Sequence, residues 1–455
     1  MKITIIGAGG VRTPLVLKSI LARQERLGLT ELALMDVDAE HLELIRALSI
    51  PVLEAGKAAF RTLWTTDTHE AIQDADYIVT TFRVGGIASR VVDEQVPLRY
   101  GVLGQETTGP GGFAMALRTI PPILEYVEQV RALAPDAWII NFTNPAGLVT
   151  EAIINRAGFE RTIGICDNPP TMHRAIASFL NAQPNEVFLE YFGLNHLGWV
   201  RAVHYQGQDM LPTLTAEVKK LGEMLDLPFD PGFIEALGML PNEYLYFYYL
   251  NREAVEHILQ AGQSRAQQIA PLNQRLFDEL QRIRQTGGSV AEMEAAYREY
   301  LHGRHATYMS IETGSKVHEE LAEAELGEAA EGYAGVALEV IGCLSGRETR
   351  VLVLDVPNRG AIVGMEEQDI VEVPCYLARG LVRPVAIGSV PDHALGLMKR
   401  VREYERLAVE AAVTRSYTTA LKALALHPLV PSYGVAKQIL DDYIEQHGDL
   451  LPRLS

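Results

Sequence analysis

The 455-residue sequence contains few cysteines and has no long apolar run. Its three cysteines, Cys166, Cys343 and Cys375, are odd in number and far apart, so a disulfide framework is not expected and a reducing compartment fits best. No stretch reaches the roughly 18 uninterrupted apolar residues that a membrane-spanning helix needs. Glycines interrupt the N-terminal "MKITIIGAGG" too early for the apolar part of a secretory signal. We therefore expect a cytoplasmic protein.

Positive charge is also scarce. The 40 Lys and Arg residues face 58 Asp and Glu residues, which gives a formal net charge of -18. This excess argues against nucleic acid and against a membrane surface as partners. Local arginines would have to reverse the sign of the field around any anionic substrate. Repeats and low-complexity tracts are absent from the sequence, and 48% hydrophobic residues predict a large core in two closely packed domains.

Short apolar runs, most of them rich in β-branched residues, alternate with helix-length amphipathic stretches in the first part of the chain. The runs are "KITII", "ELALM", "DYIVTTF", "AWIINF" and "TIGI". This alternation is typical of a Rossmann-like, doubly wound parallel sheet. We therefore predict an α/β fold with a dinucleotide-binding domain over residues 1–170.

Beyond this domain the pattern changes. The stretch "EVFLEYFGLNHLGWVRAVHYQGQDM" alternates like strands with a turn at Gly207, and "TRVLVLDVPNRGAIVGMEEQDIVEVPC" also predicts strands. Long helical stretches cover 320–342 and 395–426. We expect an α+β substrate and metal domain over residues 171–455, built around a smaller, largely antiparallel or mixed sheet.

The turn after the first run is "GAGGVRTP". Gly7, Gly9 and Gly10 allow a tight turn and a close approach of the backbone to a pyrophosphate, although Arg12 replaces the third glycine of the usual fingerprint. The second run ends in Asp36, whose carboxylate would accept hydrogen bonds from the adenosine ribose and disfavour a 2'-phosphate. These features predict NAD rather than NADP; a glycine turn with an incidental aspartate is the alternative.

Polar and reactive side chains follow the later runs. Arg83 and Arg90 follow the third run, Asn144 follows the fourth, and Cys166 with Asp167 follows the fifth. Ligands of such a sheet lie beyond the carboxyl ends of its strands. We therefore expect these side chains where the nicotinamide end of a cofactor meets a substrate, with Arg83 on the cofactor side.

Cys166 and His196 have two interpretations. Both follow predicted strands and lie beside small or polar turn residues, so they could be two ligands of a divalent metal ion whose other positions are filled by substrate oxygens and water. A buried cysteine is more often a small hydrophobic residue, and a lone histidine is more often structural. The spacing leaves both interpretations open.

Several longer motifs in the sequence resemble those of a known protein family. The chain resembles glycoside hydrolase family 4, the NAD- and manganese-dependent phospho-glycosidases, over essentially its whole length. The motifs are "GQETTGPGGFAMALRTIP" (104–121), "NFTNPAG" (141–147), "GLNHLGW" (193–199), "LPNEYLYFYY" (240–249), "NRGAI" (358–362) and "ALHPLVPSYGVAKQIL" (425–440). The resemblance also implies a fold like that of lactate and malate dehydrogenases.

The resemblance implies roles for individual residues. It implies that Cys166 and His196 hold Mn²⁺ or another divalent ion. Tyr244 would be the base, with Tyr246, Tyr248 and Tyr249 as competing candidates in the same motif. The other implied roles are substrate binding by Arg90, Asn144 and Arg265, support of the base by Glu106, and proton donation by Asp167 as in the α-glycoside members.

An ordinary glycosidase places two carboxylates around the glycosidic bond. The resemblance implies a different route, which consists of oxidation at C3 of the sugar, deprotonation at C2, elimination of the C1 alcohol, addition of water and reduction at C3. The substrate would be a phosphorylated disaccharide or glucoside.

The motifs disagree on the anomer. Asp167 in "CDNPP" resembles the α-glucoside members, whereas "NFTNPAG" is closer to the 6-phospho-β-glucosidases. We predict a 6-phospho-β-glucosidase; a 6-phospho-α-glucosidase, an α-galacturonidase, a lactate- or malate-like dehydrogenase and an NAD-sensing regulator are the alternatives. The family also implies a homodimer or homotetramer.

Overall fold

A computed structural model describes residues 1–225, 227–314 and 332–455. Its strands are, in chain order, β1 (Lys2–Ile6), β2 (Glu31–Met35), β3 (Arg61–Thr65), β4 (Tyr77–Thr80), β5 (Trp138–Asn141), β6 (Thr162–Gly164), β7 (Val187–Leu194), β8 (Leu197–Tyr205), β9 (Gln208–Asp209), β10 (Leu240–Pro241), β11 (Arg350–Pro357), β12 (Ile370–Ala378) and β13 (Leu381–Pro384). Within the described ranges these strands form one 13-stranded sheet.

Helices cover both faces of this sheet. The α-helices span Thr13–Leu21, Gln24–Leu27, Ala39–Ala55, Thr68–Ile72, Gly86–Leu98, Pro110–Leu133, Ala146–Glu151, Asn168–Phe179, Leu211–Ala216, Val218–Leu225, Pro231–Leu237, Tyr246–Tyr249, Asn251–Ala261, Arg265–Thr286, Val290–Ala306, Ser310–Thr313, Gly332–Leu344, Asp392–Thr414, Tyr417–Leu426 and Tyr433–His447. Short 3-10 turns span Pro184–Glu186, Glu243–Leu245 and Gly448–Leu450, and a π-helical turn spans Ala152–Arg156. Among the helices of the described ranges, none has the length and apolarity that a membrane crossing requires.

The first six strands are parallel and lie in the order β3-β2-β1-β4-β5-β6. This is the strand order of a doubly wound dinucleotide-binding sheet, in which the direction of winding reverses between β1 and β4. The predicted fold class is therefore confirmed. Strand β3, "RTLWT", was absent from the predicted runs because it is a partly exposed edge strand that begins with Arg61 and lacks a buried apolar run.

The antiparallel strands continue the same sheet. Strand β11 pairs with β6 through Asp355 and Gly164, and β12, β7 and β8 follow outward. The expectation of a separate, smaller sheet was wrong, because β11 pairs with the free edge that β6 would otherwise expose. The domain boundary at residue 170 stays a prediction. The main hydrophobic core joins both halves, from Ile163 in β6 to Tyr191 in β7 and Val373 in β12.

The two predicted helical stretches differ from the helices in the structure. The stretch 395–426 is two helices rather than one, since Arg415 adopts a left-handed φ of 57° and the Ser416 side chain begins the next helix by accepting a hydrogen bond from the Thr419 amide. The stretch 320–342 lies partly outside the described residues. Its last part lies in the helix Gly332–Leu344.

Candidate active site

A cavity of about 1150 Å³ opens at the carboxyl ends of the parallel strands. Apart from the competing tyrosines Tyr246, Tyr248 and Tyr249, every site residue predicted from the sequence lies on its wall. These residues are Gly7, Gly9, Gly10, Asp36, Arg83, Arg90, Glu106, Asn144, Cys166, Asp167, His196, Tyr244 and Arg265. The structure therefore brings them together at one place, and their individual roles stay predictions.

The glycine turn joins the ends of β1, β2 and β4. Gly7 has a φ of +104°, and a Cβ atom there would overlap the carbonyl oxygen of Thr81. The Gly9 amide donates to Asp36 Oδ2 at 2.8 Å, and a Cβ atom on Gly9 would crowd the same carboxylate. Glycine is therefore required at both positions by close packing within the protein, and the turn lines the cavity.

A charged cluster lies on one wall of the cavity. Glu106 accepts a hydrogen bond from Arg83 at 2.5 Å and forms an ion pair with Arg90 at 2.9 Å, while Arg90 also donates to Glu94 at 2.6 Å. Burial by itself raises the pKa of Glu106, but the positive charges of Arg90, Arg83 and Arg304 outweigh burial and lower this pKa to about 2. Glu106 is therefore ionised at neutral pH. Its closest partners are arginines rather than the predicted base.

Arg265, the first residue of the helix Arg265–Thr286, lies beside this cluster, since the amide of the next residue, Ala266, donates to Glu94 Oε2 at 2.6 Å. Its guanidinium donates to three neutral acceptors, which are Gln268 Oε1, Thr307 Oγ1 and the Arg304 carbonyl oxygen. Burial lowers the pKa of Arg265 to about 10 even though Glu312 nearby acts in the opposite direction. This wall therefore presents a desolvated cation whose hydrogen-bond partners are neutral.

Arg304 also lines the cavity, and it was not among the residues predicted from the sequence. It lies near the end of the helix Val290–Ala306 and donates to the Tyr300 hydroxyl at 3.0 Å. Burial lowers its pKa, and the charges of Arg12 and Arg90 act in the same direction. A single arginine in a polar helix carries no sequence signal that would mark it as a cavity residue, so only the packing reveals it.

Cys166 and Asp167 follow β6 and precede the helix Asn168–Phe179. Cys166 is buried, and burial together with the Asp167 and Glu372 carboxylates raises the pKa of its thiol well above the ordinary value. Asp167 is half-exposed and lies 3.8 Å from Arg12 of the glycine turn. A thiolate at Cys166 would therefore need a cation beside it.

His196 lies in the tight turn between β7 and β8. Its φ of 60° is left-handed, and its Nδ1 atom lies 2.9 Å from the Thr107 hydroxyl. Its ring stacks on the ring of Tyr244, with a centroid distance of 3.8 Å and an interplanar angle of 5°. Burial lowers the pKa of His196 to about 4, although Glu106 acts in the opposite direction, so the ring is neutral at pH 7.

Four tyrosines compete for the predicted role of base, and their surroundings differ. Tyr244 alone among them lines the large cavity of the described residues. Tyr246 donates to the Glu312 carbonyl oxygen, Tyr249 accepts from Trp199, and Tyr248 borders a small cavity behind the turn of His196. The geometry therefore favours Tyr244.

Tyr244 is partly buried in an acidic environment. Burial, followed by the charges of Glu243, Cys166 and Asp167, raises the pKa of its phenol well above 10. Its hydroxyl lies 3.4 Å from the Tyr308 hydroxyl. The phenol can act as a base near neutral pH only if positive charge is added beside it.

Protein ligands for a metal ion are few. Within the parts of the chain that the structure describes, no three His, Cys, Asp or Glu side chains converge into a metal-binding group. A cation between Cys166 and His196 would therefore need oxygen atoms from substrate and water. This agrees with an open site in which metal and substrate bind together.

Comparison with known proteins identifies the family. Residues 2–182 match the family 4 glycosyl hydrolases, and residues 191–430 match the C-terminal domain of the same family. A probable 6-phospho-β-glucosidase of Bacillus subtilis is 32% identical over 100% of this chain and 98% of its own length.

Two solved structures share the whole fold. The 6-phospho-β-glucosidase of Thermotoga maritima, solved with manganese, NAD⁺ and glucose-6-phosphate, has a TM-score of 0.84 at 31% identity and covers 100% of both chains. A 6-phospho-α-glucosidase from gut microorganisms, solved with NAD and Mn²⁺, has a TM-score of 0.82 at 28% identity and covers 100% of this chain and 99% of its own. Since both family matches together span most of the sequence, the chain belongs to family 4 of the glycosyl hydrolases and is a glycoside hydrolase.

Proposed function

We propose that this enzyme hydrolyses 6-phosphorylated β-glucosides and uses NAD and a divalent metal ion such as Mn²⁺. Its relatives described above are glucosidases of 6-phosphorylated sugars. One observation on the chain itself carries the proposal: although six carboxylates also line the large cavity, Arg265 on its wall is buried and donates to neutral acceptors. Five arginines line this cavity. These are Arg12, Arg83, Arg90, Arg265 and Arg304.

The arginines differ in what they can offer an anion. Arg83 and Arg90 are already paired with Glu106, so they are held in fixed positions. Arg265 donates to neutral acceptors and is buried, so an anionic ligand would compensate its charge. A guanidinium is suited to a phosphate because it can donate two parallel hydrogen bonds. Arg265 would bind the phosphorylated end of the sugar, with Arg90 and Asn144 orienting its hydroxyls.

The glycine turn fits a dinucleotide, because it directly follows β1, lines the large cavity and lies beside Asp36 at the end of β2. Gly7, Gly9 and Gly10 would contact the pyrophosphate, Asp36 the adenosine ribose and Arg83 the nicotinamide half. NAD bound there would accept a hydride from the sugar and return it at the end of the reaction.

Cys166 and His196 fit a divalent cation. Both line the cavity, and the neutral His196 ring keeps a lone pair that a metal can bind. A cation held there would supply positive charge beside the sugar hydroxyls and beside the Tyr244 phenol. Tyr244 Oη would then take the proton from C2 of the sugar, and stacking on His196 would keep the phenol oriented.

An α-glucoside substrate is the second candidate. Asp167 lies on the cavity wall directly after Cys166, and its side chain is about 43% exposed. A carboxyl group in that position could protonate a leaving oxygen. A β-substrate would have its leaving group on the other face of the sugar, so Asp167 would be dispensable for it.

The test is hydrolysis of p-nitrophenyl β- and α-glucoside 6-phosphates, with and without NAD⁺ and Mn²⁺, followed by nitrophenol release. We expect release from the β-substrate only when both cofactors are present, with little change in Asp167→Asn. Release from the α-substrate alone, abolished in Asp167→Asn, would establish the α-glucosidase instead. Release that persists after both cofactors are removed by dialysis and chelation would contradict the mechanism.

The same proposal includes a cytoplasmic location and a homodimer or homotetramer. Both rest on the family resemblance, and the location also rests on composition. Size-exclusion chromatography with light scattering would test the assembly.

A further inference from the structure

Gln105 and Thr107 belong to the loop that precedes the helix Pro110–Leu133, and this loop packs against His196. Both are buried, with 7% and 9% exposure. The Gln105 side-chain oxygen accepts hydrogen bonds from two backbone amides, Thr107 N at 2.7 Å and Thr108 N at 2.6 Å. Because a backbone amide can only donate, the atom that both amides contact must be the oxygen of Gln105 rather than its nitrogen.

The orientation of the next hydrogen bond follows from this. The Thr107 hydroxyl lies 3.1 Å from the same Gln105 oxygen. An amide oxygen carries no hydrogen, so the hydroxyl donates its only proton to Gln105. The side of Thr107 Oγ1 that faces His196 then offers lone pairs alone.

The orientation of the Thr107 hydroxyl determines the tautomer of His196. Its Nδ1 atom lies 2.9 Å from Thr107 Oγ1 and must carry the hydrogen, because the hydroxyl can only accept there. A histidine binds a metal ion as the neutral imidazole, which has a single N–H group. Nε2 is therefore left with its lone pair exposed.

We propose that Gln105 and Thr107 are positioning residues that hold His196 in the Nδ1–H tautomer, so that Nε2 is ready to bind a divalent cation. This inference rests on the proposed function, in which His196 is a metal ligand. Two contacts act together on the ring, because the hydrogen bond to Thr107 selects the tautomer and the stack on Tyr244 fixes the ring plane. Such outer contacts of a metal-binding histidine commonly set its affinity.

The neighbouring threonine supplies a matched control. Thr108 is also buried, but its Oγ1 atom has no hydrogen-bond partner among the described residues. Its amide bond to Gln105 does not depend on its side chain. Thr107→Val and Thr108→Val therefore remove the same hydroxyl from adjacent positions of one loop, and only the first breaks the contact with His196.

The experiment uses metal-free, full-length protein labelled with ¹⁵N-histidine. Long-range ¹H–¹⁵N spectra report which ring nitrogen carries the hydrogen, and His196→Gln identifies the signal. We expect Nδ1–H in the wild type, in Thr107→Ser and in Thr108→Val, and a shift toward Nε2–H in Thr107→Val. Titration with Mn²⁺ alone, followed by the electron paramagnetic resonance of the free ion, should give about 10- to 100-fold weaker binding for Thr107→Val.

Each contrary result has a distinct meaning. Nε2–H in the wild type would overturn the proposal without any variant, which also covers the case in which Thr107→Val does not fold. Unchanged tautomer and Mn²⁺ affinity in Thr107→Val would overturn it as well, and so would equal losses in Thr107→Val and Thr108→Val. If His196→Gln binds Mn²⁺ as the wild type does, the metal site of the proposed function fails, even where the tautomer is as expected.

Discussion

The parallel and antiparallel halves of the sheet place their cavity residues in different ways. In the parallel half, Gly7, Asp36 and Cys166 each come directly or within two residues after a strand that ends at the cavity. In the antiparallel half, His196 lies in a hairpin turn and Tyr244 in a 3-10 turn. The first arrangement is a general property of the fold, whereas the second depends on individual side-chain contacts.

This difference suggests that the two halves of the sheet have different roles in the active site. The edge of a doubly wound sheet brings the strand ends together whatever the reaction, so it is suited to a cofactor that many enzymes share. The turns of the antiparallel half can vary without disturbing that edge. We infer that the dinucleotide is bound mainly by the parallel half, whereas the chemistry depends on His196 and Tyr244 together with Cys166 of the parallel half.

The largest effect on activity is expected from a substitution in the antiparallel half, at Tyr244. Tyr244→Phe keeps the ring that stacks on His196 and removes only the phenol oxygen. We expect kcat to fall by about 10²- to 10⁴-fold, the usual contribution of a general base, while the Kd of NAD⁺ is unchanged. Steady-state hydrolysis and a fluorescence titration with NAD⁺ measure the two quantities.

Tyr249→Phe is the control for this substitution. Its hydroxyl accepts a hydrogen bond from Trp199 at 3.2 Å, away from the large cavity of the described residues. It should therefore leave kcat nearly unchanged. Equal losses in both variants, or weaker NAD⁺ binding in Tyr244→Phe, would argue against separate roles for the two halves.

A smaller effect is expected in the parallel half. Asp36→Asn keeps one oxygen, which can accept from either the Gly9 amide or the Asp38 amide, and removes the negative charge that would repel a 2'-phosphate. We expect the ratio of the Kd values for NADP⁺ and NAD⁺ to fall about tenfold, which corresponds to about 1.4 kcal/mol. At saturating NAD⁺, kcat should stay at the wild-type level.

Asp67→Asn is a suitable comparison for this variant. Asp67 also follows a parallel strand and caps a helix, through the His69 and Glu70 amides, but it lies outside the cavity wall. The cofactor preference of Asp67→Asn should match the wild type. A preference that shifts in both variants would mean that the change acts through local stability rather than through contact with the ribose.

The same contrast explains how much the sequence can predict. Strands β1, β2, β4, β5 and β6 are recognisable from their short apolar runs, and the residues after them are expected near a ligand from the sequence pattern alone. The rule that ligands lie at the carboxyl ends of parallel strands is sufficient for these positions. Edge strand β3 lacks such a run and was missed.

The antiparallel half has no comparable rule. His196, Tyr244 and Arg265 were predicted with the help of family motifs, since a turn or a helix start can face any direction until tertiary packing fixes it. Arg304 and Thr107 were missed because their importance lies in contacts over long sequence separations, with Arg265 and His196 respectively. The union of both halves in one sheet was also missed, because the pairing of Asp355 with Gly164 joins residues far apart in the chain.

The last expected effect is on stability rather than on activity, and it concerns the place where the two halves meet. Glu106 contacts Arg83 and Arg90 of the parallel half, and Arg304 of the later helices also lowers its pKa, from 4.5 to about 2. A carboxyl group with a lowered pKa in the folded state stabilises the protein above its unfolded pKa, and this contribution is lost as the pH falls through the folded pKa. The window for Glu106 therefore runs from about pH 4.5 down to about pH 2, with a contribution of at most about 3 kcal/mol at neutral pH.

Glu106→Gln removes this titration. In urea unfolding, we expect the variant to be less stable than the wild type at pH 7, and the difference in the free energy of unfolding to shrink as the pH falls from about 5 toward about 3, because protonated Glu106 resembles glutamine. Glu279→Gln breaks an exposed ion pair with Arg282 and should show little difference at any pH. A difference for Glu106→Gln that stays constant with pH would mean that the arginines do not hold this carboxylate ionised, and that the two halves meet through packing rather than through charge.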